Sequence, residues 1–254
     1  MHRRHLLFFV LPLLFPYFLI AQPPTVRVAL ASSLMPAIEE IKTLFESQSH
    51  VSIELIPGAS GTLANQIIYG APYDIFISAN KKYTLILNQK GLLIQKPSDW
   101  VRGKLVLWSD KKIQDWSEEN SASQIGALLI HPETKSIAIA QPGLAPYGDA
   151  AKSYLNSLGL KSQIDDKLIY GNNISITNQY IYTRSANVVI TSLTSKIALI
   201  DRSTGYWYPI NYPAELIQTV GILQNSSPEA SDFYDFLFTA PCLSILASYG
   251  YIQM

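Results

Sequence analysis

The chain has 254 residues, enough for one large domain or two small lobes. Hydrophobic residues make up 48% and charged residues 15%, which is too apolar for a disordered chain and, after the first twenty residues, too evenly mixed for a membrane bundle. Lys+Arg and Asp+Glu both count 19, leaving no basic footprint for nucleic acid or anionic lipid, and the one cysteine, Cys242, excludes an internal disulfide framework and any multi-cysteine metal site.

Residues 1–21 read MHRRHLLFFVLPLLFPYFLIA. Arg3 and Arg4 precede an apolar run from Leu6 to Ile20, and Gln22-Pro23-Pro24 follows, the layout of a secretory signal cut after Ala21. The run contains Pro12 and Pro16 and is shorter than the ~20 residues a membrane span needs. Its loss removes two arginines and leaves the exported chain near −2, with a bacterial periplasm as the expected home. No cysteine stands at the cut to take a lipid.

Strand-like runs follow at 25–31, 51–56, 74–78, 104–108, 136–140, 188–191 and 218–223, most of them short and almost wholly apolar, as strands covered on both faces must be. Between them, Leu34, Ile38, Ile41 and Phe45 share one helical face, and Leu63, Ile67 and Ile68 another, with Gly70 as a stop. Tyr147, Ala150, Ala151, Tyr154, Leu155 and Leu158 form a third stripe. Ser227-Pro228-Glu229 reads as the opening of a last helix, with serine as the cap and proline in the first turn. The polar stretch 110–124 is the most loop-like part of the middle. The alternation of strand and helix predicts an α/β fold with mostly parallel sheets.

Three strand-to-helix junctions are rich in small residues and hydroxyls: Ala31-Ser32-Ser33-Leu34, Gly58-Ala59-Ser60-Gly61-Thr62 and Gln141-Pro142-Gly143-Leu144-Ala145-Pro146-Tyr147-Gly148. In an open parallel sheet such junctions lie outside the carboxyl ends of the strands, where ligands bind. A helix start offers unpaired N–H groups and a partial positive charge, so the natural occupant is an anion. None of the three loops contains Lys or Arg. Neutral donors at ~1.5–3 kcal/mol each can still hold a dianion at about micromolar strength, once association costs are subtracted. Taken singly, each of these serines reads equally as an ordinary helix cap.

Other chemistry finds little support. Asp149 stands where a phosphate-binding loop would have its lysine, and Gly58-Ala59-Ser60-Gly61 is not a nucleophile elbow. His50 and His131 sit in no catalytic context, zinc spacing is absent, and Cys242 among Leu243, Ile245 and Leu246 reads as a small buried hydrophobe. Asp74 reads as an acceptor for backbone N–H groups, and the aromatic stretch 206–212 as a loop and sheet edge rather than a sugar platform.

Read together, Val28-Ala29-Leu30-Ala31-Ser32-Ser33-Leu34, Gly61-Thr62-Leu63-Ala64-Asn65-Gln66-Ile67 and Gly70-Ala71-Pro72-Tyr73-Asp74-Ile75-Phe76-Ile77-Ser78-Ala79 resemble the periplasmic molybdate-binding proteins of ABC uptake systems. The loop 142–148 and the closing Tyr249-Gly250 are similar as well, so the likeness spans nearly the whole exported chain. It implies a two-lobed type II periplasmic-binding-protein fold, each lobe a mostly parallel sheet flanked by helices, with the ligand in the cleft between them. Lobe one would hold 22–104 plus 214–254, and lobe two 105–213. The resemblance implies a bound molybdate or tungstate, no cofactor and no metal beyond that ligand. It also implies a cognate membrane permease as partner and action as a monomer. Carried over by motif, the ligand-binding residues would be Ser33, Ser60, the backbone N–H groups of Tyr147 and Ile174, and Thr191. At the last position the family pattern has a tyrosine whose hydroxyl reaches the anion. The shorter Thr191 would donate directly across a tighter cleft or through a water. The rivals are a binder of sulfate or a small organic anion, and an exported hydrolase with Ser33 or Ser60 as nucleophile, which lacks a histidine partner.

Overall fold

The computed structural model describes residues 23–254, so the export segment expected at residues 1–21 and its cut after Ala21 lie outside the described residues. The chain begins with β1 (Thr25–Ala31), a 3-10 turn over Ser32–Leu34, α1 (Met35–Glu46), β2 (Ser52–Gly58), α2 (Ser60–Ile68), β3 (Ile75–Ser78), α3 (Lys81–Gln89) and β4 (Ser98–Arg102). It continues through β5 (Leu105–Ser109), α4 (Ser121–Ile130), β6 (Ile137–Ala140), α5 (Pro146–Ser157), α6 (Lys161–Ile164), β7 (Leu168–Gly171), α7 (Ile174–Tyr182), β8 (Val188–Ser192), α8 (Leu193–Leu199) and β9 (Tyr206–Pro209). It closes with β10 (Ile217–Ile222), α9 (Ala230–Leu237), α10 (Ala240–Ser248) and β11 (Ile252–Gln253).

These elements build two sheets, in the orders β11-β4-β10-β3-β1-β2 and β7-β6-β8-β5-β9. In the first, β1, β2, β3 and β4 run one way against β10 and β11; in the second, only β5 opposes the other four. The chain passes from the first sheet to the second at 103–104 and returns at 210–216. The two passages lie side by side, with the Gly103 N–H donating to the Leu216 carbonyl at 2.9 Å.

Period two explains why the strands are apolar throughout. Val26, Val28, Leu30, Ile75 and Ile77 point into one core cluster, while Ala29 and Phe76 point to the opposite face with Leu63, Ile67, Tyr83 and Leu87. In the second sheet Ile137, Ile139, Val188 and Ile190 share the first cluster, and Ala138 and Val189 meet Trp108 and Ile181 on the far side. Each sheet is therefore covered by helices on both faces, and the first cluster runs without a break from one lobe to the other.

All seven apolar runs form strands, within two residues at each end. Strands β4, β7, β9 and β11 lack that signal, because edge positions and polar residues interrupt the pattern. The aromatic stretch supplies β9 at an edge of the second sheet, where Tyr208 accepts the Ile113 N–H and its ring meets Trp116 at 4.7 Å. The polar stretch 110–124 is loop until α4 begins at Ser121. The expected last helix needs a correction: α9 begins at Ala230 rather than at a Ser227 cap, and it is not the last, since α10 follows it. Asp74 is the reason for the later start. Its carboxylate accepts the Ser227 N–H and the Arg27 N–H, each at 2.6 Å, which ties the 224–227 segment to the sheet as a turn. Cys242 is fully buried in α10, as its neighbours predict.

Candidate functional site

Register brings the junctions together. Ala31 and Gly58 are the last paired residues of β1 and β2, so the loops carrying Ser33 and Ser60 leave the first sheet side by side. Ala140 and Gly171 end the β6–β7 pairing in the same way, so the starts of α5 and α7, with Tyr147 and Ile174, leave the second sheet together. The two pairs face each other across the cleft and line a small, partly open cavity of about 10 Å³. That is room for about one water-sized sphere, far below the ~300 Å³ at which sites for larger organic ligands begin. Its lining includes Ala31, Gly58, Ala59, Ala79, Ala145 and Pro146 beside the predicted Ser33, Ser60, Tyr147 and Ile174, and no charged side chain.

The polar groups at this cavity are donors with protons to spare. Ser33 is 2% exposed, and its hydroxyl has no partner among the described residues. Ser60 is fully buried; its oxygen accepts the Ala79 N–H at 3.1 Å, which leaves its own proton free. Neither serine caps a helix: Ala31 precedes the 3-10 turn, Ala59 precedes α2, and neither helix start has a side-chain cap. The backbone N–H groups of Tyr147 and Ile174 stand in the first turns of α5 and α7 and find no partner among the described residues. The same holds for the N–H groups of Ser33 and Ser60, which are not among the contacts expected from the sequence. The signal for them is general, since the first N–H groups of every helix lack intrahelical acceptors.

Around the donors, three hydrogen bonds cross the cleft. Gly61 N–H donates to the Leu144 carbonyl at 2.8 Å, the Tyr83 hydroxyl donates to the Gly143 carbonyl at 2.6 Å, and Ser175 N–H donates to Ser32 Oγ at 3.3 Å. Gly61 permits the first two: a Cβ there would stand 2.8 Å from the Tyr83 hydroxyl and 2.9 Å from the Leu144 oxygen. Gly143 has a φ of 82°, and its N–H is held by Asp149 at 2.7 Å, which shapes the loop that reaches across. Burial, and then the nearby Asp149 charge, pushes the Tyr83 phenol above its ordinary pKa, so it remains a donor. Burial likewise raises Tyr147 well above the ordinary phenol value and lifts Tyr251 to about 12.

Thr191 is the exception among the predicted contacts. It is fully buried but does not line the cavity, and its hydroxyl donates to Asn178 Oδ1 at 2.7 Å. Its proton is committed to Asn178, so direct donation to an ion in the cavity would require that bond to break. Catalytic groups are also missing from the cavity. His131 is exposed, and its Nδ1 accepts the Glu133 N–H at 3.2 Å. His50 is exposed as well. Among the described residues no cluster of His, Cys, Asp or Glu could hold a metal ion, and no helix is long and apolar enough to cross a membrane.

Comparison with known proteins gives this geometry a context. The sequence is 28% identical over 236 residues to the molybdate-binding protein of Azotobacter vinelandii, covering 91% of each chain. It is 27% identical over 230 residues to the molybdate-binding protein of Rhodobacter capsulatus, covering 89% of this chain and 88% of that one. The solved structure of the Azotobacter vinelandii periplasmic protein superposes with a TM-score of 0.79 at 22% identity, over 90% of this chain and 99% of that one. A sulfate-binding protein from Mycobacterium tuberculosis shares the fold more distantly, with a TM-score of 0.70 at 13% identity over 91% and 87% of the two chains. The two-sheet α/β frame is thus a known architecture, and the family model for bacterial extracellular solute-binding proteins matches residues 26–252: the chain belongs to that family.

Proposed function

We propose that this chain is the solute-binding component of an ABC importer, capturing molybdate or tungstate in the periplasm and delivering it to a cognate membrane permease. The observation that carries the reading is the Ser33 hydroxyl, buried and unpartnered at a small cavity without charged side chains. The free proton of Ser60 and the N–H groups of Tyr147 and Ile174 support it, as do relatives whose names state molybdate binding. In this reading the segments 22–104 plus 214–254 and 105–213 close as two rigid units about the paired passages, and the protein acts as a monomer without a cofactor. Residues 1–21 direct export and are removed.

The backbone N–H groups can only donate, so the site favours a fully ionised dianion, and an anion that carries an acidic O–H must turn its proton toward a serine oxygen, the one kind of acceptor among these four groups. Binding without catalysis fits the same residues, because Ser33 and Ser60 have no histidine or carboxylate within the cavity lining to take a proton.

Calorimetric titration of the exported chain with molybdate, tungstate and sulfate tests the assignment. Molybdate and tungstate are expected to bind at micromolar strength or better, and to raise the melting temperature where sulfate does not. Sulfate binding more tightly than molybdate would assign the site to the smaller ion. Absence of heat with all three would overturn the oxyanion reading.

A further inference from the structure

Tyr147 does more than offer its N–H. It belongs to the second lobe, at the second residue of α5, yet its side chain is buried against the first lobe. Its hydroxyl occupies the space a Cβ on Gly103 would need, and its Cζ would stand 3.2 Å from that carbon. Gly103 is the residue at which the chain first passes between the lobes, braced by the Leu216 carbonyl of the returning passage. Its φ lies outside the left-handed region. The glycine is therefore required by space, not by backbone conformation.

Tyr147 OH makes no hydrogen bond of ordinary length and angle among the described residues, although the hydroxyls of Ser33 and Tyr251 lie close enough to interact with it. Gln218 Oε1, in the strand that follows the second passage, is also buried without a partner. The Gln218 amide nitrogen donates instead to the Leu216 carbonyl at 2.9 Å. Contact with Gly103 limits how near the start of α5 can come to the passages. One residue carries a donor at the cavity on its backbone and a stop against the hinge at the far end of its side chain.

We propose that Tyr147 is a specificity-determining spacer: its length, measured against Gly103, sets the separation of the two lobes at the cavity and hence the size of tetrahedral oxyanion that the donors fit. This rests on the oxyanion reading of the site and adds to it the element that tells a larger ion from a smaller one of equal charge. Neutral donors alone cannot make that distinction, since sulfate, selenate and molybdate carry the same charge and differ in radius.

The volume relation between the two positions supplies the test. In Gly103→Ala the added methyl meets the phenol oxygen and forces α5 outward, widening the cavity. In Tyr147→Phe the oxygen is gone and the ring can settle toward Gly103. In the double variant the methyl takes the room the hydroxyl leaves. Dissociation constants for sulfate, selenate and molybdate would be measured on the full exported chain in each background, with circular dichroism and ligand-free melting temperature as controls for folding.

The expected result is a ratio of small-ion to large-ion affinity that falls on the order of tenfold in Gly103→Ala, rises in Tyr147→Phe, and returns toward the parent value in the double variant. Tyr147→Phe and the double variant decide the matter if Gly103→Ala alone folds poorly. A merely structural role for Tyr147 would lower all three affinities in parallel with the ratio unchanged, and that result overturns the proposal. A parent chain that binds none of the three ions overturns the oxyanion reading itself, and the spacer with it.

Discussion

Hydroxyl groups gather at helix starts in two places, beside Ser33 and Ser60 at the cavity and beside Ser192 and Ser195 at the start of α8, and they are used in opposite ways. At α8, Ser192 caps the helix by accepting the Ser195 N–H at 3.0 Å, and the two hydroxyls pair at 2.7 Å. Asn178 donates to Ser195 at 2.9 Å and accepts from Thr191 at 2.7 Å. Each group there is satisfied by a neighbour in the same lobe. At the cavity the caps are alanines, Ser33 has no partner, and Ser60 accepts without donating. Composition is alike at the two places. What separates a binding site from a stabilising network is whether the protons have already been spent, because a buried donor left unpaired costs ~1–3 kcal/mol unless something else takes its proton.

The contrast breaks most sharply at the serines. Ser33→Ala and Ser60→Ala are each expected to weaken molybdate binding by about 1–3 kcal/mol. They should differ in the ligand-free protein. Ser60→Ala also removes the acceptor of the Ala79 N–H and should lower stability by about 1 kcal/mol, whereas Ser33→Ala deletes an unpartnered hydroxyl and should leave the melting temperature unchanged or higher. Titration calorimetry and thermal melting on the same samples separate the two effects. Full affinity in both variants would place the anion elsewhere.

The bond that closes the cleft farther out comes next in size. Tyr83→Phe removes the 2.6 Å hydrogen bond to the Gly143 carbonyl without touching the cavity. It should cost about 0.5–1.5 kcal/mol of affinity, read as faster dissociation in stopped-flow, with the order of preference among anions preserved. A change in that order would mean the latch also shapes the cavity.

How much of this was legible in the sequence follows from where each signal lives. Strands such as β1 and β3 are buried on both faces and declare themselves as apolar runs, and the junction serines follow at once in the chain. Capping is a matter of one residue's placement: Ser60 and Ser192 look alike in sequence, but Ser60 is the first residue of α2 while Ser192 stands just before α8. The pairing that commits Thr191 to Asn178 joins a strand end to the middle of α7, and no local pattern announces it. The same is true of the Asp74 carboxylate, which reaches Ser227 far along the chain and delays α9. In the sequence, Tyr147 shows only as a backbone donor on a helical stripe. Its contact with Gly103 depends on how the two lobes meet, which no spacing encodes.

At the self-satisfied cluster the expected effect on binding is close to none. Thr191→Val takes away the 2.7 Å bond to Asn178 and should destabilise the fold by about 0.5–1.5 kcal/mol while leaving molybdate affinity within about twofold. A loss matching that of Ser33→Ala would show that Thr191 reaches the anion after all, and the distinction between spent and unspent protons would fail.

The smallest change is expected from pH, and it follows from the same distinction. The cavity lining has no carboxylate, histidine, lysine or arginine, and the phenol of Tyr147 is pushed well above its ordinary value, chiefly by burial. Affinity for molybdate should therefore be flat between about pH 6 and 9, a range that contains the ordinary histidine pKa and lies well above those of Asp and Glu. Stability behaves differently on the alkaline side. Tyr147 and Tyr251, the latter at about 12, hold their protons more tightly in the folded chain than in the unfolded one. Their contribution is complete below the unfolded value of about 10 and is lost as pH rises from there through the folded values. Binding should fail only as the protein begins to unfold, with both transitions coinciding when followed by calorimetry and circular dichroism. An affinity that bends near neutrality, while the fold stays intact, would place a titrating side chain against the anion and contradict a site built from uncharged donors.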